Sequence, residues 1–257
     1  TILFFTNRGR VYHLKGYDIA ESSRIAKGTA IINLLTLEVN EKITAVIPIN
    51  KFAEGKFLFM ATRKGIVKKT DLLDFDTARK GGLIALTLDD DDELIGVKLT
   101  DGNRHVILGT RDGMAIAFAE EDVRAMGRNA HGVRGIRLRE EDEVVGMDNL
   151  KKNGEVLSVT EAGYGKRTPT SEYRLQARGG KGLINFKVTD KTGVVVGLKV
   201  VRPEQELMLI TTEGIVIRTN VDEISVISRN TQGVMLMRTD SHDRVASMAT
   251  MDQKSES

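Results

Sequence analysis

One sequence unit recurs five times along this chain, and the recurrence constrains the fold more than any other feature. The segments ILFFTNRGRVYHL, FLFMATRKGIVKK, VILGTRDGMAIAF, VLSVTEAGYGKRT and LMLITTEGIVIRT share one grammar. Each is an apolar run, a threonine, two residues, a glycine, then a second apolar or basic run. The glycines are Gly9, Gly65, Gly113, Gly163 and Gly214, spaced 56, 48, 50 and 51 residues apart. Fourteen or fifteen residues beyond each stands an arginine: Arg24, Arg79, Arg128, Arg178 and Arg229. Three or four residues later comes a second glycine: Gly28, Gly82, Gly132, Gly182 and Gly233. Such self-similarity marks a repeat architecture, in which each unit buries its apolar faces by stacking on its neighbours.

Each unit holds about four short runs rich in Val, Ile, Leu and Phe, bounded by Gly and Asp/Asn turns, which are strand and hairpin signals. Sustained helical periodicity is absent. Four-stranded units of about 50 residues predict an all-β fold of five blades, packed as a propeller-like ring or an open spiral. The expected layout is one domain over 1–250, with blades at about 2–55, 56–104, 105–154, 155–205 and 206–250, and a polar tail over 251–257. Hydrophobic residues make up 40% of the 257, enough for such a core. No apolar run approaches the ~18 residues of a membrane span. The absence of cysteine rules out disulfides and thiolate metal sites and fits a reducing cytosol. The opening TILFFTN has no initiator Met and no charged segment before an apolar one, so the chain reads as a piece of a longer protein.

The formal net charge is only +2, from 38 basic and 36 acidic residues, so placement matters more than sum. Acidic residues gather in late turns of the units, at 38–42, 89–93 and 139–143. Basic residues gather in the second strand and the loop after it. They are Arg24 and Lys27 in the first unit, Lys68, Lys69, Arg79 and Lys80 in the second, and Arg128 and Arg134 in the third. The fourth adds Lys166, Arg167, Arg174, Arg178 and Lys181, and the fifth Arg229. Equivalent positions on like blades would form a positive stripe. A stripe suits a long polyanion such as duplex DNA, which carries one charge per ~1.7 Å of axis. Ordinary solvated strand faces account for one Lys-Lys pair but poorly for a pattern repeated five times.

The loop QARGGKG, Gln176 to Gly182, concentrates the question. It is not a Walker A loop, because Lys181 is followed by Gly182 and the spacing is wrong. Its glycines let backbone N–H groups approach a ligand. Arg178 and Lys181 supply charge and Gln176 a neutral donor, a combination suited to phosphate contact without base reading. A tight turn that needs glycine is the alternative. His13, His105, His131 and His242 share no metal-like spacing, and Asp89–Asp92 with Glu93 lacks the pattern of a calcium loop. Tyr164 and Tyr173 are candidate nucleophiles by residue type alone, and no Ser/His/Asp or paired-carboxylate constellation presents itself.

The segment GYGKRTPTSEYRLQARGGKG resembles the signature of the C-terminal domain of the bacterial DNA gyrase A protein, whose box reads Q-R-R-G-G-K-G. The likeness runs through GRVYHLKGYDI, EKITAVIPI, DDELIGVKLTDG, VRAMGRNAHGVRGIRL and ISVISRNTQGVMLMRT. Gln176, Arg178, Gly179, Gly180, Lys181 and Gly182 match the box, and Ala177 stands in place of its second arginine. In the family the strict box belongs to the first of six blades, whereas this copy lies in the fourth of five units. The principal box is therefore expected upstream of this chain. The resemblance implies a β-pinwheel whose basic rim wraps duplex DNA without reading sequence, in the service of ATP-dependent negative supercoiling. It implies as partners the gyrase B protein and the rest of the gyrase A protein in an A2B2 holoenzyme. ATP and Mg2+ would belong to other parts of that assembly, and the cleavage tyrosine would lie upstream. The chain itself would then hold no cofactor and no catalytic residue, reside in the bacterial cytoplasm on the nucleoid, and not contact a membrane. Alternatives are the related C-terminal domain of topoisomerase IV, commonly with fewer blades, and a protein-binding propeller.

Overall fold

The computed structural model describes residues 1–21, 28–77, 82–240 and 242–252. The first repeat supplies β1 (Ile2–Thr6), β2 (Arg10–Leu14) and β3 (Ile43–Pro48). The second supplies β4 (Phe57–Thr62), β5 (Ile66–Asp71), β6 (Leu83–Ile84) and β7 (Leu94–Thr100). The third gives β8 (His105–Thr110), β9 (Met114–Ala119), β10 (Val133–Arg134) and β11 (Val144–Leu150). The fourth gives β12 (Glu155–Thr160), β13 (Tyr164–Pro169), β14 (Leu183–Ile184) and β15 (Val195–Val201). The fifth gives β16 (Gln205–Thr211), β17 (Val216–Asn220), β18 (Val234–Met235) and β19 (Val245–Asp252).

The recurring Thr-x-x-Gly has a simple physical basis. In each repeat the glycine N–H donates to the threonine carbonyl, as in Gly65 to Thr62 at 3.0 Å and Gly163 to Thr160 at 3.0 Å. In the second to fifth repeats the threonine hydroxyl also accepts the N–H one residue past the glycine, as in Tyr164 to Thr160 Oγ1 at 3.2 Å. Gly163 takes a φ of +79°, which closes the hairpin as a turn with a bulge. A Cβ there would also fall 2.1 Å from the carbonyl oxygen of Met237, so only glycine fits. The acidic turns serve the same hairpins: Asp142 Oδ1 accepts the N–H groups of Asp112 and Glu143, and Asp92 Oδ1 those of Lys64 and Glu93.

The sheets do not coincide with the repeats. The sequence reading gives every blade four strands of its own, but the outer strand is borrowed from the following repeat. The orders are β3-β1-β2-β6, β10-β5-β4-β7, β11-β8-β9-β14 and β15-β12-β13-β18. The fifth sheet, β17-β16-β19, has three strands among the described residues. Each borrowed strand is two residues long and antiparallel, as in Leu183 opposite Ala115 and Ile184 opposite Met114. Met251 and Asp252, expected to begin a polar tail, instead extend β19 opposite Glu206 and Gln205.

Where the sequence reading took one domain, the chain divides into two compact units. The first comprises Thr1–Asn103 with Val123–Arg134, the second Arg104–Asp122 with Gly135–Ser257. The first holds two sheets around Leu3, Phe5, Val11, Leu58, Met60 and Phe75. The second holds three, with Leu157, Val159, Val201, Leu207 and Leu209 buried together. Alternation along the inner strands places these side chains in the cores, where apolar burial stabilises by about 25 cal/mol per Å2.

Candidate nucleic-acid interface

The basic residues singled out by sequence fall into three groups. Arg24, Lys27, Arg79 and Lys80 lie outside the described residues. Lys68, Lys69, Lys166 and Arg167 are buried, which corrects their assignment as surface contacts. Arg134, Arg174 and Lys181 are exposed, and Arg128, Arg178 and Arg229 are partly exposed.

The four buried cations have internal partners. Lys166 Nζ donates to the carbonyl of Ser228 at 2.7 Å, to that of Arg229, and to Thr231 Oγ1 at 3.1 Å. Lys68 Nζ donates to the carbonyls of Ala85, at 2.8 Å, and Arg128. Burial pulls both ammonium groups down to about 8. Arg167 is held by Glu155 at 2.5 Å and by the carbonyls of Ile224 and Asp222 at 2.7 and 2.9 Å. Lys69 lies over the Phe57 ring, 5.1 Å from its centroid. Charges committed in this way are not available to an external polyanion. A signal for Lys68 and Lys166 was present in the sequence. The equivalent place, three residues after the turn glycine, is Tyr12, Ile116 or Ile217 in the other repeats.

In the second unit the loop Gln176–Gly182 is fastened at several points. The Gln176 N–H donates to Ala117 O at 2.8 Å, and the Gly179 N–H to Gly135 O at 2.6 Å. Gly180 O accepts the Arg137 N–H at 2.8 Å, and Arg178 Nε donates to Asp122 O at 2.9 Å. Gly179 and Gly182 take φ of +78° and +77°. These bonds fix the backbone and leave Lys181 exposed at the tip. Gln176 Nε2 is buried without a hydrogen-bond partner. Lys181 and Gly182 line a groove of about 900 Å3 together with Arg229 and two arginines the sequence reading missed, Arg137 and Arg139. Met114, Leu183, Ile184, Glu140 and Asp142 also line it. In the first unit Arg128 Nη1 lies 3.4 Å from Ile84 O, on a borrowed strand. Arg229 makes the same contact in the second unit, with Nη1 2.8 Å from Ile184 O.

Tyr173 packs inside the second unit, its hydroxyl donating to Asn185 Oδ1 at 2.5 Å. Burial pushes its ionisation above the ordinary phenol range, the opposite of what a nucleophile requires.

Fold and loops together define an all-β repeat protein of antiparallel blades that presents a glycine-bracketed basic loop beside a groove. The profile described as DNA gyrase C-terminal domain, beta-propeller, matches residues 1–50, 56–101, 104–151, 154–202 and 205–250. The chain belongs to this family. It is 53% identical over 252 residues to the DNA gyrase A protein of Clostridium acetobutylicum, covering 98% of this chain and 30% of that protein. It is 48% identical over 248 residues to the DNA gyrase A protein of Salmonella typhimurium, covering 96% and 28% respectively. The chain thus spans less than a third of the length of these relatives. Among solved structures, the C-terminal domain of DNA topoisomerase IV superposes with a TM-score of 0.91 at 26% identity, covering 98% of this chain and 79% of that one. The DNA gyrase A C-terminal domain gives 0.84 at 26% identity, covering 97% and 82%.

Proposed function

We propose that this chain binds duplex DNA through its exposed basic loops and wraps it, serving negative supercoiling by a gyrase holoenzyme. The observation that carries the reading is the loop Gln176–Gly182. Its backbone is bonded in place, Lys181 is exposed, and Arg137, Arg139 and Arg229 stand along the same groove. Fixed cations beside glycine backbone suit phosphate oxygens and carry no sequence code. Specificity then arises from how easily the DNA bends, at about 1–6 kcal/mol for a site of 20–30 base pairs. In this reading the chain is the wrapping element of a six-bladed, basic-rimmed domain with blades of about 50 residues. Strand cleavage, ATP and Mg2+ belong to the rest of the gyrase A protein and to the gyrase B protein in an A2B2 assembly on the bacterial nucleoid. The high TM-score to the topoisomerase IV domain supports a second reading, in which DNA is bound but not wrapped with the gyrase hand.

The two are separated on relaxed closed-circular plasmid, bound by the chain, treated with a type I topoisomerase and then deproteinised. Retained positive writhe is expected. A mobility shift without a linking difference would reject wrapping, and no binding at low salt would reject both readings. With about ten phosphates contacted, log K should fall against log salt with a slope of roughly −9.

A further inference from the structure

In two repeats a lysine occupies a position that is tyrosine or isoleucine in the others, and it is fully buried in both: Lys68 and Lys166. Among the described residues, their hydrogen bonds go only to neutral oxygens. A buried ammonium that is hydrogen-bonded to no carboxylate is costly. Ile116 at the equivalent place of the third repeat shows that the blade itself does not need one.

The oxygens gripped are specific. Lys68 holds the backbone of Arg128, and Lys166 that of Arg229 together with Ser228 and the Thr231 hydroxyl. The same two arginines lay their guanidinium groups on a borrowed strand, at Ile84 O and Ile184 O. Arg178 belongs to the loop facing Ile116, where no such ammonium stands, and it is fastened differently, through Asp122 O.

We propose that Lys68 and Lys166 are positioning residues of the DNA interface, gripping from inside the backbone of Arg128 and Arg229 so that these two arginines meet phosphate. The inference rests on the DNA-binding reading above. Lys166 faces Glu172 and Arg229, and Lys68 faces Asp74 and Arg128. With both ammonium groups near 8, the grip weakens as pH rises from 7 to 9.

The test is a double-mutant cycle on binding to a linear duplex, read by fluorescence anisotropy at fixed salt. Lys166→Ile copies the third and fifth repeats and is therefore expected to fold, which a thermal melt checks. Arg229→Ala should weaken binding about tenfold, the loss of one charged hydrogen-bonded contact. Lys166→Ile should weaken it comparably, and the double variant should be no weaker than Arg229→Ala alone. Between pH 7 and 9 the wild-type affinity should fall more steeply than that of Lys166→Ile. Additive losses, wild-type affinity in Lys166→Ile, or equal pH profiles would each overturn the inference. Should Lys166→Ile not fold, Thr231→Val removes one gripped oxygen, and its smaller loss must likewise vanish in the Arg229→Ala background. A wild-type chain that binds no DNA rejects the functional reading and this inference together. Wild-type binding with additive losses rejects the inference alone.

Discussion

Gly180 and Gly182 stand two residues apart in one loop, yet alanine should act differently at each. Gly182 has a φ of +77°, and a Cβ there would fall 2.3 Å from Ala115 O, a backbone atom of β9. Alanine in the left-handed region costs about 1–2 kcal/mol. The clash also displaces β14 from β9, with loss of pairing at Leu183 and Ile184. Two hydrogen bonds at ~1 kcal/mol each bring the total to about 3–4 kcal/mol. At 2–4 °C per kcal/mol, Tm should drop by roughly 6–16 °C. Gly180 has no positive φ, and its Cβ would meet Ala177 O and Ile116 Cδ1 at 3.6 Å, ordinary contact. Gly180→Ala should therefore change stability by no more than ~0.5 kcal/mol. If Gly180 serves close approach of a phosphate, the same variant should weaken DNA binding several-fold at unchanged Tm. Circular dichroism melts and anisotropy on both variants decide the matter. A Gly182→Ala protein melting within 2 °C of wild type would refute the steric arithmetic. A Gly180→Ala protein with wild-type affinity would refute the ligand role of that glycine and leave the loop a turn.

Arg167→Met should lower stability by about 3–5 kcal/mol in urea titrations, because it strands Glu155, the buried carbonyl of Ile224 and the part-buried one of Asp222. DNA affinity of the folded variant should stay near wild type, since Arg167 is interior. Lys181→Ala should leave Tm unchanged and reduce the salt slope of binding by about 0.9, one phosphate's worth. Stability should rise with pH from about 8, where folded Lys68 and Lys166 release protons that the unfolded chain holds until about 10.5. Urea midpoints at pH 7.5, 8.5 and 9.5 should show this rise in the wild type and not in Lys68→Ile/Lys166→Ile. Tyr12, held at about 12 by burial and by Glu41, works in the opposite sense above pH 10 and sets the upper limit of that experiment.

Much of the fold was legible because its signals are local. Thr-x-x-Gly reports a bulged turn through hydrogen bonds that span four or five residues, and five copies report five hairpins. The borrowed strands were not legible. Leu83–Ile84 and its counterparts are two residues long, too short for alternation to show, and their pairing is with the preceding repeat. The interface was read by residue type, which does not separate exposed Lys181 and Arg174 from buried Lys68, Lys166 and Arg167. A lysine pair in a strand reads as surface unless its register is compared with other repeats, where Ile116 marks the first lysine position as core. Arg137 and Arg139 were missed because they border the acidic run Glu140–Glu143, and the groove they share with Lys181 is lined by Met114 of β9 and Leu183 and Ile184 of β14, far apart in sequence.

Exchange of outer strands also sets a timetable for synthesis. Val11 pairs with Leu83, so the edge of β2 leaves the ribosome about 70 residues before the strand that covers it. At about 5–20 residues per second, that edge stands uncovered for roughly 4–14 s. Val67 waits in the same way for Val133, Ala115 for Leu183, and Gly165 for Val234. The nascent chain thus carries an adhesive edge that travels along it as translation proceeds, each repeat sheltering the one made before. Chaperone demand should follow that moving edge, and slow codons just after a hairpin should prolong its exposure.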